Sequence, residues 1–390
     1  MHHLLRKIIP SLTFLLVFPT IASAQTPEKI TPLMLNVQDA PIPFLGSDSR
    51  THLVYELEMK NFSSGNLTVE QVEILSGTGA VLQTFNQQEI ATRLQPAGRR
   101  DSTAVMPPST LALLFIHVTM PEGQTAPARL AQRVHVRAEA APPGQQEITE
   151  TGGDVAVDTQ PVAVFGPPLR GANYISADSC CDATRHTRAA LPVNGRVWIA
   201  QRYAVDWEQL DDANRIYHGS STDPNSYTIF GKEAIAVADA KVVSVIDNLP
   251  EQTPGQYPTN ISIDQADGNS VVLDLGEKHY AVYAHLQPGK MRVHPGDTVK
   301  RGQVLGLVGN TGNSVAPHLH FHVVSNPSPL AANGLPYEID HFEVTAATPG
   351  TAAFDQAEEK GTPLAITPLT PPRHVTNGLP LDQLIISFQP

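Results

Sequence analysis

Three histidines recur at alternate positions in Pro317-His318-Leu319-His320-Phe321-His322-Val323, directly after the turn-forming run Gly309-Asn310-Thr311-Gly312-Asn313-Ser314. Successive side chains of an extended segment point to opposite faces, so His318, His320 and His322 make a row of imidazoles while Leu319, Phe321 and Val323 face a core. A single histidine is most often a satisfied polar residue. A row of three costs desolvation, and mutual repulsion whenever the rings protonate; a bound cation removes both penalties. Neutral imidazole is a zinc ligand, so the spacing points to metal-site chemistry.

The surrounding pattern is that of strands that hold such a row. Ala234–Ile246, Asn260–Asp264, Ser270–Leu275 and Tyr280–Leu286 alternate apolar and polar residues, and Val299–Val308 reads as a strand bent at its glycines. Arg185 to Asp206 reads as a hairpin turning at Val193-Asn194-Gly195, and 208–230 as a long polar surface loop. Further upstream, short alternating runs at Thr51–Met59, Leu67–Leu75, Val81–Phe85, Ser109–Met120, Arg129–Ala138 and Val155–Phe165 predict an antiparallel sandwich of immunoglobulin type. This part offers no catalytic constellation and reads as a binding or spacing module.

The fold class is therefore all-β, with an N-terminal β-sandwich followed by an antiparallel β domain that carries the histidine row. Gly166-Pro167-Pro168 marks the boundary, so the expected divisions are 1–24, 25–166, 167–345 and a loosely ordered Pro/Thr-rich tail over 346–390 with one strand at Gln383–Phe388. The N-terminal part is expected to fold on its own.

Residues 1–24 read as a secretory signal, with Arg6 and Lys7 before an apolar run and Ala22-Ser23-Ala24 as the cleavage site. The chain is expected to be exported, to the periplasm or the extracellular space, with no stable membrane anchor after cleavage. A net charge of -12 argues against nucleic acid or an anionic membrane surface recognised by bulk charge. Of cysteines there is only the adjacent pair Cys180-Cys181, which rules out a disulfide framework and leaves either a bond between neighbours or two free thiols.

With Asp206, Tyr283-Ala284-His285-Leu286 and His318-Leu319-His320 in one β domain, the chain resembles the lysostaphin/LytM-type zinc metallopeptidases over about residues 185–345. The resemblance implies a zinc endopeptidase acting on peptidoglycan peptides. By motif it makes Asp206 and His320 metal ligands and His285 and His318 the non-ligand catalytic histidines. One position departs: the family's first histidine ligand lies four residues before the aspartate, where this chain has Arg202. Arginine, cationic at any ordinary pH, does not bind zinc. Either another residue completes the site, or the domain is a non-catalytic member that binds cell wall or activates a partner hydrolase.

His186 is the candidate replacement. With a three-residue loop at Val193-Asn194-Gly195, counting outwards sets His186 opposite Arg202, on the face shared with Asp206; a two-residue Asn-Gly turn sends it to the other face. His322, where the family often has an acidic residue, reads as an outer partner of a ligand imidazole, and Arg202 as an ion-pair partner of Asp206. A barrel-like domain carrying biotin or lipoate is the remaining reading of Val299–Leu307, and it lacks the exposed lysine hairpin.

Overall fold

A computed structural model describes residues 30–388. The expected signal segment, 1–24, lies outside the described residues.

The N-terminal part is two five-stranded antiparallel sheets. One is built on Thr51–Asn61 and Leu111–Thr119, the other on Leu67–Ser76 and Arg129–Ala138. Their inner faces meet in a core of Leu53, Leu57, Val72, Ile74, Leu114 and Val136, as the period-two alternation requires. The expected strand over Val155–Phe165 is instead two: Glu147–Ala156 closes the sandwich, whereas Ala163–Phe165 pairs parallel to Tyr337–Ala347 in the next sheet. Pro161 falls between them and gives no N–H to a ladder.

The third sheet has eleven strands, among them Leu384–Phe388, Gly171–Ala177, Val205–Gln209, Leu319–Val324, His279–Leu286, Asn269–Gly276 and Ala240–Ile246 in spatial order. Leu319, Phe321 and Val323 are fully buried on one face among Trp207, Tyr283 and Tyr337. His320 and His322, equally buried, occupy the other. Asn260–Asp264 is not a strand: Asn260 has φ 66°, and a 3-10 turn follows at Ile263–Gln265.

Residues 346–388 are the largest correction. The expected strand forms, as Leu384–Phe388, but the rest of the expected tail is a helix, Thr351–Lys360, and a further strand, Thr367–Gly378. The last strand pairs with both Gly171–Ala177 and Tyr337–Ala347, inside the sheet. Its apolar residues Ile385, Ile386 and Phe388 are buried there. The helix docks Phe354 and Ala357 onto Tyr217 and Tyr227, so the 208–230 segment is anchored by aromatic side chains despite its polar composition.

The sandwich and the sheet share more than a linker. Phe44 and Val54 of the sandwich belong to the sheet's core, with Phe44 edge-on to Tyr203 at 5.3 Å. Arg202 joins the two parts: its Nε and Nη2 donate to Glu56 Oε1 and Oε2 at 2.9 and 2.6 Å, and its Nη1 donates to Asn333 Oδ1 at 2.8 Å. Both charges are buried. The expected ion pair of Arg202 with Asp206 does not form, and Arg202 has no place around the histidine cluster.

Candidate active site and metal centre

Asp206 and His320 are direct cross-strand partners, and Ala284 lies opposite His320 on the other side. His318 precedes the Leu319–Val324 strand, and His285 comes near the end of His279–Leu286 with φ 62°, a left-handed conformation that turns its ring out of strand alternation. A non-glycine residue holds that conformation only when its surroundings fix it. Here His285 N–H donates to Asp267 O at 2.9 Å, and the loop 309–314 closes from the opposite side. That loop approaches so closely that a Cβ on Gly312 would sit 2.3 Å from Gly268 N.

His186 enters by a route that strand counting misses. The hairpin has a two-residue Asn194-Gly195 turn, with Val193 opposite Arg196, and ends at Leu191. His186 lies before it, on the short helix Thr184–Thr187, so hairpin register does not govern its direction. The strand that matters is Gly171–Ala177, whose Ala177 pairs with Asp206; the chain leaves it through Asp178 and folds back so that His186 Nε2 reaches 3.3 Å from Asp206 Oδ2. The premise of a three-residue loop was wrong, yet the residue does lie beside Asp206.

Each imidazole is oriented from outside. His186 Nδ1–H donates to Asp178 O at 2.9 Å, His285 Nδ1–H to Thr311 O at 2.7 Å and His318 Nδ1–H to Ala316 O at 2.7 Å. A carbonyl only accepts, so these bonds settle the tautomers and leave each Nε2 facing inward. His322 Nε2–H donates to Pro329 O at 3.3 Å, so its Nδ1 accepts from His320 Nε2–H at 2.9 Å. His320 Nδ1 is thereby left as a lone pair, 2.8 Å from Asp206 Oδ1.

Two acceptors at that separation require a positive charge between or beside them. Burial strongly favours neutral rings at His285, His320 and His322, bringing His320 down to about 4. At His186 burial acts the same way, but the Asp206 carboxylate overcomes it and raises the ring to about 9. His318 moves upward for the same reason, and Asp206, despite its burial, is held well below the usual carboxylate range by these two rings. The inward-facing set thus demands a cation, whether protons or a metal. The ligand atoms of His186, Asp206 and His320 lie within 4.8 Å of one another, as do those of His285, His318 and His320. Imidazole nitrogens with one carboxylate oxygen are a donor set that fits zinc.

Thr311, Asp267, Gly268 and Asp178 escaped the sequence reading because they act through backbone groups, which carry no residue signature; only the Gly/Asn/Ser run hinted at them. Glu208 and Glu358 were also missed. Burial, and then each other's charge, raise Glu208 far above its ordinary range, while Glu358 stands at about 7, chiefly from burial. Glu358 comes from the Thr351–Lys360 helix.

Residues 228–332 match the family described as peptidase family M23. That match covers roughly a quarter of the chain. Over 65 residues the chain is 42% identical to peptidoglycan DD-endopeptidase ShyA of Vibrio cholerae serotype O1, covering 17% of this chain and 15% of that protein. Over 60 residues it is 50% identical to lysostaphin of Staphylococcus simulans, covering 15% of this chain and 12% of that protein. The aligned stretches are thus less than a sixth of either relative. The solved catalytic domain of lysostaphin from the same species is 22% identical, with coverage of 42% of this chain and 88% of that one and a TM-score of 0.23. The M23 match contains His285, His318, His320 and His322; His186, Arg202 and Asp206 precede it.

Proposed function

We propose that this chain is an exported zinc metallopeptidase, periplasmic or extracellular, that hydrolyses peptide bonds in bacterial peptidoglycan. The observation that carries the reading is the convergence on Asp206 of His320 Nδ1, 2.8 Å from Oδ1, and His186 Nε2, 3.3 Å from Oδ2. The name of the Vibrio cholerae relative supports peptidoglycan as substrate, and the apolar, small-residue pattern of 1–24 supports export.

In this reading His186, Asp206 and His320 hold the metal, with His186 in the role for which Arg202 is unfit. When bound, zinc supplies Lewis acidity, acidifying a water and polarising the scissile carbonyl. The chain's own groups handle the proton. His285 and His318 keep Nδ1–H on backbone carbonyls, so their Nε2 atoms accept a proton or, once protonated, donate to the developing oxyanion. His322 holds His320 in the tautomer that ligates through Nδ1.

The second reading, a non-catalytic member that binds cell wall or activates a partner hydrolase, is favoured by Arg202 at the first ligand position. His186 beside Asp206 weighs against it. Zinc content of the purified chain, measured beside release of fragments from a muropeptide digest, separates the two. About one zinc per chain with product release supports the enzyme, and metal-free protein without products supports the module.

A further inference from the structure

A second cluster of ligating side chains lies where the sandwich meets the Cys180–Asp182 loop. His52 Nδ1 and His117 Nε2 face each other at 2.9 Å. The outer nitrogen of each ring meets a carboxylate: His52 Nε2 is 3.0 Å from Asp48 Oδ1, and His117 Nδ1 is 2.9 Å from Asp182 Oδ2. Carboxylates that take the outer N–H of paired histidines turn both inner lone pairs onto one point, the arrangement that commonly backs metal-ligating imidazoles. Thr119 Oγ1 stands 3.4 Å from His52 Nδ1 and 3.2 Å from His117 Nε2, and Cys181 Sγ lies within 4.8 Å of a ring nitrogen of each histidine. His52 is fixed by packing against Phe44 and by Gly46, where a Cβ would come 2.6 Å from His52 Nε2.

We propose that His52, His117 and the thiolate of Cys181 form a transition-metal site separate from the M23 centre, available only when the Cys180–Cys181 disulfide is reduced. In the bonded state each sulfur is tied to the other, and Cys181 is a poor ligand. A dithiol reductant supplies two electrons and two protons, leaves as its own disulfide and yields two thiols; Cys181 then loses its proton on binding the ion. Two imidazoles with one thiolate suit a borderline-soft ion such as zinc or cobalt(II). A small cavity whose lining includes Val54, Phe115, Cys181 and Asp182, with Arg93 and Arg188, lies beside the loop. The site takes ligands from both parts of the chain and would tie them together.

The test is cobalt(II) binding by the full chain, oxidised and after reduction with a phosphine, which itself offers no thiol. The reduced chain should bind one equivalent more than the oxidised chain and gain a thiolate-to-cobalt charge-transfer absorption. Both gains should vanish in His117→Gln and in Cys181→Ser. Equal cobalt in the two redox states overturns the proposal, as does an absorption that survives in His117→Gln. X-ray absorption on the wild type gives a reading independent of variant folding: once the oxidised chain's spectrum is subtracted from that of the reduced chain, a mixed nitrogen and sulfur shell for the added ion supports the site, and a shell without sulfur, or with sulfur alone, overturns it. The difference between redox states is independent of whether the M23 centre is active.

Discussion

Replacing Glu56 with alanine strands the guanidinium of Arg202 inside the joint between sandwich and sheet. Arg202 is 4% exposed and Glu56 7%, and the carboxylate accepts two of the guanidinium's hydrogen bonds, at 2.9 and 2.6 Å. The remaining partners, Asn333 Oδ1 and Gly334 O, are neutral and cannot balance the charge. Breaking a buried pair by removing one member typically costs about 3–5 kcal/mol, largely the desolvation of the charge left behind. Glu56→Ala should lose stability of that order, and Arg202→Met a similar amount. The double variant Glu56→Leu/Arg202→Met should recover most of the loss, because no charge then remains buried. Urea unfolding, followed by circular dichroism and by tryptophan fluorescence, completes the cycle. Because the pair joins two cores, the two probes should also separate in the single variants. A Glu56→Ala chain within about 0.5 kcal/mol of wild type, the range of an ordinary surface change, would refute the reasoning.

His186→Ala should abolish zinc retention and turnover, as should His320→Ala; dialysis followed by metal analysis checks both, and full retention in either removes that residue from the ligand set. His285→Ala and His318→Ala should keep zinc and lose roughly 100-fold or more in turnover, measured on muropeptides. Gly312→Ala puts a Cβ against Gly268 and forces a side chain onto φ 75°, so it should displace the Thr311 carbonyl from His285 and cut turnover by up to about 100-fold with zinc retained. Burial raises Glu251 to about 7, only partly offset by the N–H of Asn310. A folded value above the unfolded one means stability that is present below about pH 4 and lost as pH rises through 7. Glu251→Gln should reduce that loss by roughly 1–3 kcal/mol in urea unfolding compared at pH 4.5 and 7.5.

The imidazole row and its apolar reverse face were legible because strand alternation is a local property: His320 and His322 on one side, Leu319, Phe321 and Val323 on the other. The direction of His285 was not, since its left-handed backbone is imposed by Asp267 and by the loop at Thr311. His186 shows a more instructive failure. Register arithmetic on the hairpin could not place a residue that lies outside it, and the contact with Asp206 arises through the neighbouring strand at Ala177. Arg202 misled in the opposite way: its proximity in sequence to Asp206 suggested an ion pair, while its true partner, Glu56, is 146 residues away. The final segment looked loose because Pro and Thr dominate it; the strand expected at Gln383–Phe388 does form, and Ile385, Ile386 and Phe388 seat it inside the sheet, whereas the helix and the strand before it had no such signal.

Asp206 and His320 are 114 residues apart in sequence. An ion held by both would act as a reversible cross-link, closing a loop of that length in the unfolded chain as well as bridging two strands in the folded one. For a permanent link over about 100 residues, the chain-entropy account gives about 5 kcal/mol; an exchangeable ion contributes with the logarithm of its free concentration relative to its Kd. Metal supply would therefore set the lifetime of the folded chain as well as its chemistry, and chelation would open it to proteolysis along with ending turnover.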